Sequence, residues 1–229
     1  MSVTAPDRVG LVIFDCDGVL VDSEPLAAQV MAEMATIYGV PLMPRDCIDR
    51  FTGVSLARVR AALEAELGRP LPGDFEAEVR ARDFAAFKSG LRPIDGADAV
   101  LRTIKTAKCV ASSGAPEKIR FTLGLTGLLP LLEPYLFSAS MVSRGKPAPD
   151  LFLYAAAQMG HAPQACVVIE DAEPGIRAAR AAGMTALGFT GGGHCGPSHG
   201  EHLRKAGAHL VFRRMAELPD LLDGLVRDP

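Results

Sequence analysis

Short runs of consecutive apolar residues recur along the chain, and most of them end at a small or acidic residue. The clear runs cover residues 11–14, 109–111, 166–169 and 185–189, and a weaker one covers 209–212. Continuous rather than alternating apolarity is typical of strands that are buried on both faces, as in a parallel sheet. Helical stretches lie between the runs, at residues 116–125, 149–159 and 174–182. This alternation predicts right-handed βαβ units and an α/β fold with a doubly wound parallel sheet.

The interval from about residue 23 to residue 93 breaks the alternation, because it has helical periodicity but no convincing strand. Three apolar stripes carry the periodicity: Leu26, Val30, Met34 and Ile37; Leu56, Val59, Leu63 and Leu67; and Phe75, Val79, Phe84 and Phe87. Consecutive helices of this kind predict a small bundle. We therefore expect an α/β core of residues 1–22 and 94–229, with an inserted α-helical domain of residues 23–93. Glycines and prolines interrupt residues 123–137, which we interpret as a core segment broken by loops.

Composition narrows the possible partners. Hydrophobic residues make up 48% of the 229 and charged residues 22%, the net charge is −3, and Lys and Arg are scattered. These values argue against nucleic acid or an anionic membrane as a partner. No window supplies the roughly 20 apolar residues that a transmembrane helix needs. Five widely spaced cysteines without a secretory signal favour free thiols and a cytoplasmic location. The oligomeric state stays open, and we expect a monomer or a weak oligomer.

Polar side chains follow several predicted strands at the point where each strand ends. They are Asp15 and Asp17 after the first strand, Ser112 and Ser113 after the second, Glu170 and Asp171 after a later one, and Lys146 before the helix near residue 149. Ligands of an open α/β sheet bind at the carboxyl ends of its strands. We therefore expect four carboxylates, two hydroxyls and one ammonium group to face the same crevice.

Four carboxylates in one crevice repel each other by several kcal/mol per close pair, on the order expected for a partly buried site, so positive charge must offset them. Carboxylate oxygens without a His or Cys partner favour Mg²⁺, which commonly shares itself with a phosphate. Lys146 adds a point charge for a phosphate oxygen, and the amides after Ser112 and Ser113 offer an anion site at a helix start. Together these groups favour a small phosphorylated metabolite as the substrate.

The spacing Asp15-x-Asp17 suits phosphoryl transfer. One carboxylate can attack phosphorus and form an aspartyl-phosphate, while a second carboxyl gives a proton to the leaving alkoxide and later takes one from water. Gly18 permits the bend that would bring both acids to one side. The alternative for this pair is a solvated strand end with a capping role. The tetrapeptide alone is weak support, but its combination with Ser112, Lys146 and the later acids favours the functional interpretation.

Four segments resemble the sequence motifs of the haloacid dehalogenase superfamily. They are residues 14–25, 110–113, 146–149 and 169–171, in that order. The resemblance covers nearly the whole chain, including a helical cap inserted after the first motif. Within the superfamily it is similar to the β-phosphoglucomutase-like sugar-phosphate phosphatases, a branch that includes 6-phosphogluconate phosphatase. The resemblance implies a Rossmann-like core with a cap, and a Mg²⁺-dependent phosphatase acting on a sugar phosphate or phospho-sugar acid.

The resemblance also implies a role for individual residues. Asp15 would be the nucleophile and Asp17 the general acid and base. The metal set would be Asp15, Asp17 through its main-chain carbonyl, Asp171 and the nearby Glu170. The phosphate-binding and substrate-binding set would be Ser112, Ser113, Lys146 and, in the cap, Gly53.

Departures from other branches separate the alternatives. Dehalogenases lack the second acid that Asp17 provides here. The mutase of the branch carries a cap histidine and a cap arginine where this chain has Ala27 and Leu56. Loss of these groups weakens a second phosphate site, so hydrolysis is preferred to phosphosugar mutase activity. Two further alternatives remain. One is a non-hydrolytic signalling protein that becomes phosphorylated on its own Asp, and the other is a binding protein with a dormant site.

One glycine-rich segment is left without a role. Residues 191–196 match the GxGxxG pattern, and His194, Cys195, His199 and His202 crowd into the same region. We interpret the segment as a polar, flexible surface loop at the edge of the sheet, and a position near the substrate stays open. Nucleotide binding and a zinc site are the less favoured alternatives.

Overall fold

A computed structural model describes residues 9–225 of the chain. Its strands are β1 (Leu11–Phe14), β2 (Ala107–Ser112), β3 (Leu136–Ser138), β4 (Cys166–Glu170), β5 (Thr185–Phe189) and β6 (Leu210–Phe212). They form one sheet in the order β3-β2-β1-β4-β5-β6, and all neighbouring strands are parallel. The order reverses beside β1, where Leu11 is in register with Ala107 on one side and Cys166 on the other. The predicted doubly wound parallel sheet is confirmed.

Helices connect the strands and flank the sheet. They are α1 (Glu24–Tyr38), α2 (Pro44–Phe51), α3 (Leu56–Leu67), α4 (Phe75–Gly90), α5 (Ala97–Thr103), α6 (Pro116–Leu125), α7 (Asp150–Gln158), α8 (Glu173–Ala181), α9 (His199–Ala206) and α10 (Leu218–Gly224). Among residues 9–225, no helix combines the length and the apolar character that crossing a bilayer requires.

The unbroken apolarity of the strands follows from a core on each face of the sheet. Val12 and Phe14 of β1 point into a cluster completed by α5, α6 and α10. Leu11 and Ile13 of the same strand point the other way, into a cluster completed by α7, α8 and α9. All four side chains are fully buried. Because both faces are covered, neither set of alternate positions can be polar.

The interpretation of residues 123–137 as a core segment broken by loops is confirmed for Leu123, Leu128 and Leu132, which are buried in the core, but it missed the strand β3. Leu136, Phe137 and Ser138 pair with the end of β2 and form an edge of the sheet. The strand has only three residues and directly follows Pro134 and Tyr135. Such a short run lacks a signal of its own, and its identity as a strand comes from pairing with β2.

Helices α1–α4 lie between β1 and β2 in the chain, and we call them the helical insertion. They share an apolar cluster of their own, in which Val30, Met34, Leu63 and Phe75 are buried. This cluster agrees with the bundle expected from the three apolar stripes. The exact domain boundaries, residues 23 and 93, stay a prediction.

Three residues of the first and third stripes, Ile37, Phe84 and Phe87, do not belong to the buried cluster of the bundle that the stripes predict. Ile37 is 61% exposed at the end of α1. The ring of Phe84 packs on Phe121 of α6, with ring centroids 4.5 Å apart, and the ring of Phe87 faces the ammonium group of Lys118. Helix α4 therefore uses two faces, one against the helical insertion and one against α6. Periodicity reveals that a face is buried but not which element buries it.

Paired substitutions in α1 test this assignment. Met34→Ala removes a fully buried side chain and is expected to lower the free energy of unfolding by about 2–5 kcal/mol. Ile37→Ala, one turn away on the exposed side, is expected to change it by less than about 0.5 kcal/mol. Denaturant unfolding followed by circular dichroism measures both values. Equal losses for the two variants would contradict the placement of Ile37 on the surface.

Candidate active site

The carboxyl edge of the sheet and the helical insertion enclose a cavity of about 860 Å³. Eight residues singled out in the sequence all line it: Asp15, Asp17, Gly53, Ser112, Ser113, Lys146, Glu170 and Asp171. They come from segments up to about 150 residues apart in the chain and meet because β1, β2 and β4 are adjacent and parallel.

The ammonium group of Lys146 lies at the centre of the acidic residues. Its Nζ donates to Asp15 Oδ1 and to Glu170 Oε1, each at 2.6 Å, and to the carbonyl oxygen of Ala111 at 3.0 Å. All the partners lie at the ends of β1, β2 and β4. The side chains of Asp15, Lys146 and Glu170 are almost completely buried, so water screens these ion pairs very little.

The carboxylates outnumber the positive charge beside them. Burial raises the pKa of Asp15 well above its ordinary value; Lys146 opposes this rise, and the neighbouring acids add to it. Burial likewise raises the pKa of Glu170. Burial disfavours the charged form of Lys146, yet Asp15 and Glu170 together hold its pKa above the ordinary value. One ammonium group therefore does not neutralise this cluster of acids.

Asp15, Glu170 and Asp171 each have one carboxylate oxygen that lies within 4.8 Å of the corresponding oxygens of the other two residues. A site built from carboxylate oxygens with surplus negative charge fits Mg²⁺, which prefers hard oxygen ligands. The side chain of Asp17 is outside this group because it is held elsewhere. The predicted contribution of Asp17 through its main-chain carbonyl stays a prediction.

The carboxylate of Asp17 is held by two donors that the sequence analysis missed. Ser23 Oγ donates to Oδ1 at 2.6 Å, and Lys118 Nζ donates to Oδ2 at 3.0 Å. Burial opposes ionisation of Asp17, but Lys118 and Ser23 outweigh it and lower its pKa overall. One signal was available for Lys118: it lies in the first turn of α6, where the helix dipole disfavours a cation. A lysine there indicates a specific acidic partner.

Gly18 shapes the turn that follows β1. Its φ of 77° lies in the left-handed region, so the predicted bend is confirmed. A Cβ atom at this position would also overlap Asp171 Oδ2, so glycine lets the turn approach the acid after β4. On the opposite wall, Gly53 of the helical insertion also has a positive φ, 74°, and faces Ala172 and Pro174.

The wall contributed by the helical insertion carries two further acids that the sequence analysis missed. Burial, reinforced by Asp17, raises the pKa of Glu24 to about 7. Burial also raises the pKa of Asp83 to about 7, and its Oδ1 atom is buried with no hydrogen-bond partner among residues 9–225. Asp83 stands between Val79 and Phe87 at intervals of four residues, so an acid interrupting an apolar stripe was the available signal.

The segment of residues 191–202 is not a polar surface loop throughout. His194 is only 1% exposed, and its Nε2 lies 2.9 Å from Asp171 Oδ2. His199 Nε2 lies 2.6 Å from the main-chain oxygen of Asp171. His202 is exposed. The prediction of a polar surface loop was wrong for His194. A buried histidine needs a polar partner, and the partner of His194 is Asp171, which lies 23 residues earlier in the chain and is not visible in the local sequence pattern.

Comparison with known proteins agrees with this geometry. Residues 9–183 match the family described as haloacid dehalogenase-like hydrolase. The 6-phosphogluconate phosphatase of Escherichia coli (strain K12) is 32% identical over 93% of this chain and 95% of its own length.

Two solved structures cover almost the whole chain. A conserved haloacid dehalogenase-like protein of unknown function from Agrobacterium tumefaciens str. C58 superposes with a TM-score of 0.87 at 37% identity, covering 95% of this chain and 99% of the other. A HAD family hydrolase from Deinococcus radiodurans R1, with bound phosphate and sodium, has a TM-score of 0.80 at 33% identity, with coverage of 98% and 100%. The resemblance found in the sequence motifs is confirmed: the chain belongs to the haloacid dehalogenase-like hydrolases.

Proposed function

We propose that the protein is a Mg²⁺-dependent phosphatase that hydrolyses a small sugar phosphate or phospho-sugar acid through a phosphorylated Asp15. The observation that carries the proposal is the buried cluster in which Asp15 Oδ1 lies 2.6 Å from Lys146 Nζ, beside Glu170 and Asp171. The similarity to a 6-phosphogluconate phosphatase and to a hydrolase with bound phosphate supports it.

The carboxylates Asp15, Glu170 and Asp171 would hold the metal ion. When bound there, Mg²⁺ supplies positive charge that offsets the charge developing on the phosphoryl group. Lys146 adds a second positive charge at the same edge. The hydroxyl of Ser112 and the groups around Ser113, just before α6, would bind the remaining phosphoryl oxygens at the start of that helix.

In the first step Asp15 attacks phosphorus, the bond from phosphorus to the ester oxygen breaks, and a carboxyl proton of Asp17 passes to the leaving alkoxide. In the second step water attacks the phosphoryl group on Asp15, Asp17 takes the water proton, and the products are phosphate and free Asp15. Lys118 and Ser23 would hold the Asp17 carboxylate in one orientation during both steps. In the structure, Lys118 and Ser23 favour the ionised form of Asp17, which is the form that accepts the water proton in the second step. Asp17 must bind a proton before it can act as the acid of the first step.

The cavity supports a polyhydroxylated leaving group. Its volume of about 860 Å³ exceeds the space that a phosphate alone needs. Asp83 lines this cavity, and its carboxyl group would accept a hydrogen bond from a substrate hydroxyl. Arg58, an exposed guanidinium on the cavity wall, suits the carboxylate of a sugar acid.

The phosphosugar mutase alternative is less well supported. Ala27 and Leu56 both line the cavity and offer no hydrogen bond or charge to a second phosphate. The signalling alternative does not agree with membership of a hydrolase family. A cytoplasmic location and a monomeric or weakly oligomeric state also belong to the proposal and rest on the sequence alone.

Hydrolysis of p-nitrophenyl phosphate tests the assigned nucleophile. Activity is expected to need Mg²⁺ and to disappear with EDTA, and Asp15→Asn should lower kcat by a factor of about 10³ or more because an amide is a poor nucleophile. Asp95→Asn, on an exposed acid outside the cavity, is the matched control and should keep full activity. Metal-dependent turnover of p-nitrophenyl phosphate by Asp15→Asn would show that the mechanism is wrong. With a sugar phosphate as the substrate, an isomeric phosphosugar instead of free phosphate would indicate a mutase.

Asp83→Ala tests recognition of the leaving group. We expect kcat/KM for hydroxyl-bearing sugar phosphates to fall by roughly 10-fold, because a hydrogen bond to a buried carboxyl group is lost. Activity toward p-nitrophenyl phosphate, which has no hydroxyl donors, should change little. Asp74→Ala removes an exposed acid at the start of the same helix and serves as the control. Equal losses on both substrates would argue against substrate contact by Asp83.

Asp83 is also expected to make the free energy of unfolding depend on pH. The pKa of Asp83 is about 7 in the folded chain and near 3.8 when unfolded. Between these values the folded state holds a proton that the unfolded state lacks, so the free energy of unfolding falls as pH rises. Asp83→Asn removes this effect. The free energy of unfolding of Asp83→Asn, relative to that of the wild type, should be higher at pH 8 than at pH 5. The difference between the two pH values should be on the order of 2 kcal/mol after allowing for the partial exposure of Asp83. Denaturant unfolding of the substrate-free enzyme at both pH values measures it, and a pH-independent difference would refute the assignment.

A further inference from the structure

The loop that follows β5 is packed against the two turns that carry the active-site acids. The Gly193 amide donates to Asp22 Oδ1 at 2.8 Å, which ties the loop to the segment after β1. A Cβ atom on Gly192 would lie only 2.8 Å from the His194 ring and 2.9 Å from the Gly18 carbonyl oxygen. Glycine at position 192 therefore permits the loop to approach closely enough to insert His194 beside Asp171.

Two histidines of this loop and of α9 hold Asp171 at two points. His194 Nε2 contacts the carboxylate at Oδ2, 2.9 Å away, with both side chains almost fully buried. His199 Nε2 contacts the main-chain oxygen of the same residue at 2.6 Å. A carbonyl oxygen only accepts hydrogen bonds, so Nε2 of His199 carries the hydrogen. The side chain of Asp171 is therefore held by His194, and its main chain is held by His199.

We propose that His194 is a positioning residue for the metal site: by holding Asp171 Oδ2 it fixes the rotation of the carboxylate that would bind Mg²⁺. This rests on the metal-binding role of Asp171 proposed above. A carboxylate ligand that is free to rotate loses conformational entropy when the ion binds, and a hydrogen-bond partner removes this cost beforehand. Partners behind a metal ligand typically contribute about 10- to 100-fold in metal affinity.

A soft-metal site formed by the same side chains is the competing explanation. His194, Cys195 and His199 can each bring one ligand atom within 4.8 Å of the others. However, the His194 nitrogen closest to Cys195 Sγ, at 3.4 Å, is Nε2, the atom that contacts Asp171. His199 likewise uses Nε2 on Asp171. A metal at these nitrogens would have to replace the contacts with Asp171, so the observed geometry favours hydrogen bonding.

The test is Mg²⁺ binding to the metal-free enzyme, measured by isothermal titration calorimetry and supported by Mn²⁺ binding in EPR. His194→Leu is expected to raise the dissociation constant for Mg²⁺ about 10- to 100-fold. His194→Gln, whose amide reaches the position of Nε2, should stay closer to the wild type. At saturating Mg²⁺, His194→Leu should recover most of its kcat, with KM for the substrate nearly unchanged. His202→Leu replaces an exposed histidine of α9 and is the control, with no expected effect.

Each outcome decides a separate point. If folded His194→Leu binds Mg²⁺ as tightly as the wild type, His194 is not a positioning residue. If the wild type itself binds no Mg²⁺, the proposed metal dependence fails as well. Should His194→Leu not fold, His194→Gln and His194→Asn replace it, because the shorter Asn amide cannot reach Asp171. Equal Mg²⁺ affinity in these two variants would overturn the proposal. Tight Zn²⁺ binding that Cys195→Ser abolishes, with Mg²⁺ still bound, would replace it with a soft-metal site.

Discussion

The buried ammonium group of Lys146 is the interaction on which the site depends. It bridges Asp15 after β1 and Glu170 at the end of β4, and it also donates to a main-chain oxygen of β2. A buried ion pair contributes only when its geometry is good and its remaining donors are satisfied, and losing one partner leaves an unpaired charge. Three adjacent parallel strands meet both conditions here. The adjacency of these strands therefore sets the electrostatics of the site.

The surplus of negative charge that Lys146 leaves has structural consequences around it. The turn at Gly18 comes so close to Asp171 that no side chain fits there. Behind Asp171, His194 is buried although imidazole is polar, because the carboxylate offers it a partner. The acids thus organise the loop after β5 as well as the cavity. A buried cluster of like charges is costly unless hydrogen-bond donors or cations pair with its members.

The opposite wall of the cavity illustrates a balance between stability and function. Asp83 stands on α4 among apolar residues, with one oxygen that has no partner among residues 9–225. Such a group destabilises the substrate-free protein, and sites of this kind are where function commonly overrides stability. The same helix packs Phe84 on Phe121 of α6, so it is anchored near the carboxyl edge of the sheet. The acid is consequently held at a defined place on the wall.

The doubly wound sheet could be predicted from the apolar runs, because strands buried on both faces must be continuously apolar, and the acids at the strand ends could be found in the same way. The sequence also identified Ser112, which lies at the end of a predicted strand, and Lys146, which precedes a predicted helix and begins one of the segments that resemble the family motifs. The folded chain was needed to show that β3 is a strand, that Lys118 pairs with Asp17 from 101 residues away, and that His194 is buried against Asp171. Local patterns report which positions are buried or polar. The choice of partner depends on distances between segments that are remote in the chain, and only the packed fold sets those distances.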